Sequence, residues 1–240
     1  MMTFTDQTPV REIVVANPSA VEILEQAGVD YCCGGEKSLA DACNAAGVSL
    51  AEIAARLHQN GTKPAPDADW SIAPLARLAA YIVEKHHGYV RGAIQRLQPL
   101  LAKVRGKHGA NHPELAGIES LFQDVSREMT QHMQKEEYIL FPYIEEIERA
   151  AHTRSPMPPP PFGTVRHPIR MMMDEHDAAA AIVKEIRSRS SAYAPPADAC
   201  MSFQAAYREL HTFETDLHQH VHLENNILFP RAIEMEDSLV

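Results

Sequence analysis

One sequence pattern occurs twice in this chain, as HMQKEEYILFP at residues 132–142 and as HVHLENNILFP at residues 220–230. Each copy carries a histidine, a glutamate four residues later, and then Ile-Leu-Phe-Pro at the same distance. In an α-helix, residues at i and i+4 lie on one face, so each copy can direct two metal-binding groups toward one point. These four side chains are His132, Glu136, His220 and Glu224.

Hydrophobic periodicity predicts four long helices, over about residues 72–104, 113–150, 165–190 and 197–235. The apolar stripe of the first helix begins at Ile72. The apolar stripe of the second helix contains His132, Glu136 and Ile139, so the metal-binding candidates of this helix face inward. The proline-rich stretch at residues 155–163 cannot be helical, because successive prolines lack the amide proton, and it predicts an extended crossover.

Four amphipathic helices with two short turns and one longer crossover predict an all-α fold, an antiparallel four-helix bundle. Each half is a helix hairpin whose first helix offers an inward histidine, His87 in one half and His176 in the other. His86 fits the apolar spacing as well as His87 does, and only the internal repeat favours His87. Stacking the hairpins would bring four imidazoles and two carboxylates together inside the bundle.

Two buried glutamates, each one turn beyond a buried histidine, predict a metal site, because buried carboxylates are rare unless they are paired or metal-bound. Imidazole and carboxylate ligands without thiolate suit iron, manganese or zinc, and carboxylate ligands in a bundle core are typical of di-iron proteins. We expect two iron ions with an oxo or hydroxo bridge and open positions for a small ligand. Glu128 and Glu175 are candidates to accept hydrogen bonds from ligating imidazoles, although solvated surface carboxylates are an equally good interpretation of both.

The remaining reactive side chains divide into two groups. His218 and His222 are expected to be solvent-facing or peripheral, because their face is offset from the stripe that holds His220. Cys32 and Cys33, in a glycine-flanked loop, are expected to be accessible and either reactive, metal-binding or plain free thiols. The other two cysteines lie among apolar neighbours on predicted helices and are expected to be inert core residues. These two are Cys43 and Cys200.

The N-terminal residues 1–60 predict a separate small helical domain, in which serines that can cap helices and glycines that can end them alternate along the chain. A polar, proline-containing linker follows at residues 61–70, and the four-helix bundle occupies residues 71–240. The core available to so short a domain is small, so we expect it to pack against the rest of the chain or against a partner subunit in a homodimer.

Composition and charge exclude several classes of protein. The net charge of −10 argues against nucleic acid as a partner, because phosphate backbones are bound by clustered Lys and Arg. No apolar run approaches the length of a membrane span, and the N-terminus shows no secretory pattern. Four unevenly spaced cysteines fit a reducing compartment, so a cytoplasmic location without membrane contact is expected.

These motifs together resemble the repair-of-iron-centres family, which joins an ScdA-type N-terminal domain to a hemerythrin-like di-iron bundle. The DYCCGG loop at residues 30–35, the two His-x₃-Glu repeats and the EHD at residues 175–177 carry the resemblance, which covers nearly the whole chain. The resemblance implies that four histidines and two glutamates hold the irons, and it selects His87 over His86. The implied ligands are His87, His132, Glu136, His176, His220 and Glu224.

The resemblance implies a stress protein that restores iron–sulfur clusters damaged by nitric oxide or oxidants, by donating iron and with nitric oxide binding at its own di-iron centre. Its partners would be damaged iron–sulfur proteins and a small diatomic ligand, and Cys32 and Cys33 are implicated in redox chemistry or iron transfer. Two alternatives stay open: an enzyme that reduces nitric oxide to nitrous oxide, and a sensor or carrier of nitric oxide or oxygen.

Overall fold

The computed structural model of the protein describes residues 4–59, 69–155 and 160–239. Within those ranges the regular elements are helices, together with one isolated bridge between Pro9 and Ser38. The predicted all-α class is therefore confirmed. None of the described helices is both long enough and apolar enough to cross a membrane.

Four short helices form the N-terminal region: α1 (Val10–Ala16), α2 (Ala20–Ala27), α3 (Leu39–Ala46) and α4 (Leu50–Gln59). The serine and glycine residues that were expected to cap and end helices lie at helix ends. The side chain of Ser38 accepts a hydrogen bond from the backbone N–H of Asp41 and so caps α3. Gly28 and Gly47 end α2 and α3 with φ values of 68° and 70°, which favour glycine.

Seven further helices build the four long segments: α5 (Leu75–Ile82), α6 (Gly88–His108), α7 (Glu114–Lys135), α8 (Phe141–Thr153), α9 (Arg166–Arg189), α10 (Met201–Leu223) and α11 (Phe229–Asp237). Short π-helical turns join α5 to α6, α7 to α8, and α10 to α11, so the four predicted long helices are present. The first begins later than predicted, because Ile72 precedes α5 and is 77% exposed.

The chain divides into two compact units. The first unit comprises Met1–Ala79, Ile147–Met157 and His218–Val240, and the second comprises Ala80–Glu146 and Pro158–Leu217. The domain limits at residues 60 and 71 stay predictions. Residues 61–68 of the predicted linker and residues 156–159 of the predicted crossover lie outside the described residues.

The core of the second unit forms where α7 packs against α6 and α9. Phe122 of α7 meets Phe213 of α10 edge to face, with ring centroids 5.4 Å apart. A partly buried ion pair connects α9 to α10, because the guanidinium of Arg187 donates to both carboxylate oxygens of Glu214 at 3.0 and 2.8 Å. This packing positions the inward side chains of α6, α7 and α9.

In the first unit, a buried carboxylate satisfies the N-terminal end of α5. Oε1 of Glu148 accepts from the backbone N–H of Leu75 at 2.7 Å, and Oε2 accepts from Ala76 at 3.0 Å. Nearby, the guanidinium of Arg231 donates to the backbone carbonyls of Trp70 and Ala73. The carboxylate of Glu148 thus supplies acceptors for the first N–H groups of α5, which have no partner within the helix.

Candidate metal centre

Three π-helical turns occur in the described residues, Val83–His87, Glu136–Leu140 and Glu224–Leu228. Each of them contains one of the predicted ligands, since the first ends at His87 and the others begin at Glu136 and Glu224. Such turns insert one extra residue into a helix and are frequent at functional sites.

The second and third π turns have a local cause in the sequence. Pro142 and Pro230 have no N–H to donate to the carbonyl four residues earlier, which lies inside the preceding π turn in both copies. A proline inside a helical pattern indicates a kink, but it does not by itself indicate the change of register seen here. Because the π turn adds a residue, Ile139 leaves the buried stripe and is 51% exposed, whereas Leu140 is buried.

His132, Glu136 and His176 converge in the second unit. One ligand atom from each lies within 4.8 Å of the other two. Nε2 of His132 is 3.0 Å from Nε2 of His176 and 3.3 Å from Oε1 of Glu136. All three side chains are buried, and an ionised carboxylate is costly to bury unless a cation or strong hydrogen bonds compensate its charge. The group therefore fits a metal-binding site with nitrogen and oxygen ligands.

A carboxylate outside this group orients His132. Nδ1 of His132 is 3.0 Å from Oε2 of Glu175, whose other oxygen pairs with the ammonium group of Lys135. A carboxylate can only accept, so Nδ1 carries the proton, and the lone pair of Nε2 points toward Glu136 and His176. The hydrogen bond with His132 lowers the pKa of Glu175 to about 2, with Lys135 adding to the effect against the opposing effect of burial.

His87 has the same arrangement with a different carboxylate. Its Nε2 lies 3.3 Å from Oε2 of Glu136, and its Nδ1 lies 2.6 Å from Oε1 of Glu137. Burial opposes ionisation of Glu137, but hydrogen bonds from His87 and Arg91 outweigh it and lower its pKa. His87 thereby presents its Nε2 lone pair to Glu136, so the second unit places three imidazoles around one buried carboxylate.

The second copy of the repeat lies in the first unit. Nε2 of His220 is 3.0 Å from Oε1 of Glu224, and both side chains are fully buried. This i, i+4 pair repeats the contact between His132 and Glu136, as expected from two identical spacings.

The N-terminal region contacts the third π turn through two asparagines. Nδ2 of Asn226 donates to the carbonyl of Tyr31 at 2.8 Å, and Nδ2 of Asn225 donates to the carbonyl of Cys32 at 3.4 Å. Helix α1 packs on the same turn. This contact explains why Ile227 is only 6% exposed although Ile139, its counterpart in the first copy, is not buried.

Two histidines beside His220 belong to the same contact. His222 is buried rather than solvent-facing: its ring lies 5.7 Å from that of Tyr31, and burial lowers its pKa to about 4. His218 is half-buried, with its Nδ1 3.0 Å from a carboxylate oxygen of Glu25. The offset face that suggested solvent exposure is covered by the N-terminal region, which helical periodicity could not reveal.

The cysteines differ from expectation in two places. Cys32 is buried, and its hydrogen bond with Cys33 together with burial raises its pKa, so only Cys33 of the predicted accessible pair is half-exposed. Cys43 is buried as predicted, and burial raises its pKa. Cys200 is not an inert core residue, because it is half-exposed and lies 3.1 Å from an imidazole nitrogen of His108.

Two other residues that the sequence analysis considered for the site, and one that it did not consider, can now be assigned from their contacts. Glu128 is exposed and forms no hydrogen bond with His132 in the described part of the chain, so the surface interpretation holds for it. His86 is buried but bonds to Asp216, with Nδ1 3.1 Å from Oδ1. The sequence analysis missed Glu137, although its position next to Glu136 in the first repeat was a usable signal.

Two family models match the chain. Residues 78–232 match the hemerythrin HHE cation binding domain, and residues 6–60 match ScdA_N, a domain of unknown function. The chain is 33% identical over 235 residues to the iron-sulfur cluster repair protein YtfE of Pectobacterium atrosepticum, covering 98% of this chain and 100% of the relative. It is 36% identical over 234 residues to a probable iron-sulfur cluster repair protein of Haemophilus influenzae, covering 97% and 99% of the two chains.

Proposed function

Because the chain belongs to the repair-of-iron-centres family, in which an ScdA-type N-terminal domain precedes a hemerythrin-like domain, we propose that it repairs iron–sulfur clusters damaged by nitrosative or oxidative stress. The observation that supports this most strongly is the buried group of His132, Glu136 and His176. It lies in a chain whose similarity to iron-sulfur cluster repair proteins extends over nearly its full length.

We propose that six residues hold two iron ions. The contacts within the second unit support His87, His132, Glu136 and His176, and the internal repeat supports His220 and Glu224. All six fall within the region that matches the cation binding domain. When bound, the iron would supply a donatable metal and open positions for nitric oxide.

The protein's own residues prepare this site in two ways. Glu175 and Glu137 hold Nδ1 of His132 and of His87, so that each Nε2 lone pair is directed inward before metal arrives. Burial keeps water away from Glu136, which strengthens the attraction between its carboxylate and a cation. Both features favour metal binding by a pre-organised ligand group.

The test uses the purified full chain loaded with iron and an iron–sulfur enzyme inactivated by nitric oxide. We expect the enzyme to regain activity while the chain loses iron. The metal-free chain and the Glu136→Ala variant should restore little activity, whereas Glu128→Ala, which removes an exposed carboxylate, should act as the unchanged chain does. Failure of the iron-loaded chain to restore activity would overturn the proposal.

Two other outcomes would assign the alternative functions. Sustained nitrous oxide formation with an electron donor would identify a nitric oxide reductase, since a donor protein would act stoichiometrically. Reversible binding of nitric oxide or oxygen with fully retained iron would identify a sensor or carrier. The cytoplasmic location, the homodimer, the roles of Cys32 and Cys33 and the contact with damaged iron–sulfur proteins stay predictions.

A further inference from the structure

Cys200 forms a nucleophile–base pair with His108 in the second unit. Sγ of Cys200 lies 3.1 Å from Nε2 of His108, the last residue of α6. Cys200 also directly precedes the long helix α10, whose first backbone N–H groups, those of Phe203 and Ser202, point at the sulfur. An imidazole partner and the N-terminal end of a helix both favour a thiolate over a thiol.

These contacts have a measurable consequence for the thiol. The backbone N–H of Phe203 and the hydrogen bond with His108 lower the pKa of Cys200 to about 7. Two carboxylates in this region, those of Asp198 and Glu114, contact His112. An imidazole nitrogen of His112 lies 3.0 Å from an oxygen of Asp198, and the other lies 3.1 Å from an oxygen of Glu114. A substantial fraction of Cys200 is therefore ionised near neutral pH, where an ordinary cysteine is mostly protonated.

The sulfur opens into a cavity of about 300 Å³. The cavity is lined by Lys103, Val104, Lys107, His108, Cys200, Met201 and Ser202. Lys103 and Lys107 lie one turn apart on α6 and expose their ammonium groups. Neither lysine forms an ion pair within residues 4–59, 69–155 and 160–239. In a chain with a net charge of −10, this pocket presents cationic groups beside a nucleophile, which suits an anionic reactant.

Two of the other cysteines are poor competitors for such a reactant. Cys32 and Cys43 are both buried, and the surroundings of each raise the pKa of its thiol. The thiol form is the weaker nucleophile, and burial blocks access. Reactivity toward a small molecule should therefore be greater at Cys200 than at either of these two buried cysteines.

We propose that Cys200 is a site of reversible thiol–disulfide exchange with a small anionic disulfide of the glutathione class, whose carboxylates bind Lys103 and Lys107. The thiolate attacks one sulfur of the disulfide and forms a new S–S bond. The old S–S bond breaks with its electron pair on the departing sulfur, which takes the proton that His108 accepted from the Cys200 thiol. One protein thiol and one disulfide become one mixed disulfide and one small thiol, so the disulfide itself is the oxidant.

The experiment treats the iron-loaded full chain with glutathione disulfide at neutral pH and follows each cysteine by peptide mass spectrometry. We expect Cys200 to acquire the glutathionyl group on the order of tenfold faster than Cys43, and a reducing thiol to remove it. Equal rates at these two cysteines in the folded chain, or no modification of Cys200, would overturn the proposal.

A second comparison separates anion recognition from simple exposure of the sulfur. In the Lys103→Gln, Lys107→Gln double variant, we expect slower reaction with glutathione disulfide and an unchanged rate with the neutral disulfide of 2-mercaptoethanol. Lys184→Gln removes an exposed lysine of α9 and should change neither rate. Equal slowing of both reagents, or of neither, would contradict the role of the two lysines.

Discussion

The side chain of Glu175 controls which nitrogen of His132 faces the proposed metal, because it binds Nδ1 at 3.0 Å. Replacing Glu175 by Ala removes that acceptor and leaves the imidazole free to rotate or change tautomer. We expect iron affinity to fall by about 10- to 100-fold, as measured by competition with a chelator. Glu128→Ala removes the same charge from an exposed position and should leave the affinity unchanged. Equal affinities for the two variants would refute the orienting role.

The ionisation of Cys200 is a second residue-scale property that can be measured. Below a pH of about 7 the sulfur is protonated and unreactive, and above it the thiolate predominates, so the alkylation rate should rise with its midpoint near pH 7. The groups around the sulfur are Lys103, Lys107 and His108 at the cavity, with Asp198 bound to His112. The midpoint is read from the pH profile of iodoacetamide labelling at Cys200.

Replacing His108 by Asn tests the cause of this shift. Loss of the imidazole removes one of the contacts that lower the pKa of the thiol, so the midpoint should move to higher pH toward that of an ordinary cysteine. The backbone N–H of Phe203 remains and should keep part of the shift. An unchanged midpoint would show that His108 does not stabilise the thiolate.

At the scale of elements, the N-terminal end of α5 depends on one carboxylate. Glu148 accepts from the N–H groups of Leu75 and Ala76, and the first of these bonds is buried. The Glu148→Ala variant leaves these donors without partners, so we expect the free energy of unfolding to fall by about 2–3 kcal/mol in urea denaturation. Glu145→Ala, on the exposed face of α8, should change it by less than about 0.5 kcal/mol.

The contact between the DYCCGG loop and the third π turn also depends on one residue. A Cβ atom at Gly35 would lie 2.5 Å from Oδ1 of Asn226 and 3.1 Å from Cβ of Arg11. Asn226 cannot move away freely, because its amide nitrogen binds the carbonyl of Tyr31. Gly35→Ala should therefore lower the free energy of unfolding by about 1–3 kcal/mol.

Gly106 provides the matched control for this substitution. It lies in α6, and a Cβ atom there would meet nothing within 4 Å. Gly106→Ala should raise the free energy of unfolding by about 0.5–1 kcal/mol, because alanine loses less conformational entropy in a helix. If both variants unfold at the same urea concentration, the close approach at Gly35 is not what restricts that position.

At the scale of the whole molecule, metal binding should be coupled to stability. The proposed ligands come from several helices, so a bound cation favours the folded chain over the unfolded one. Removing iron with a chelator should lower Tm, and each tenfold rise in free iron above Kd should add about 1.4 kcal/mol of stability. Calorimetry checks this, with Glu136→Ala as the control that should respond weakly. A Tm independent of iron would contradict the proposed site.

Short-range patterns predicted most of this fold. The spacing of apolar residues predicted the four long helices, and serine and glycine signals predicted the ends of α3. Prediction failed where local backbone geometry departed from the regular helix. Ile139 is the example, since a single extra residue in the π turn rotated it out of the core.

Contacts between distant residues were the other source of error. His222 is buried because Tyr31 covers it, and Cys200 is not an inert core residue because His108, far away in the sequence, lies beside it. Glu137 was not recognised from the sequence, and Glu175 could not be told apart from a surface carboxylate, yet each holds a buried imidazole. Side-chain patterns along one helix carry no information about which other helix supplies a partner.

The sequence by itself determined the helical class, the repeated His-x₃-Glu pairs and the family, because helical periodicity and ligand spacing are local properties of the chain. Only the tertiary structure decided that His87, His132 and His176 surround Glu136 and that Cys200 lies beside a base. It also decided which carboxylates hold Nδ1 of two of these histidines. Those features depend on distances between segments remote in sequence, and packing of the folded chain sets such distances.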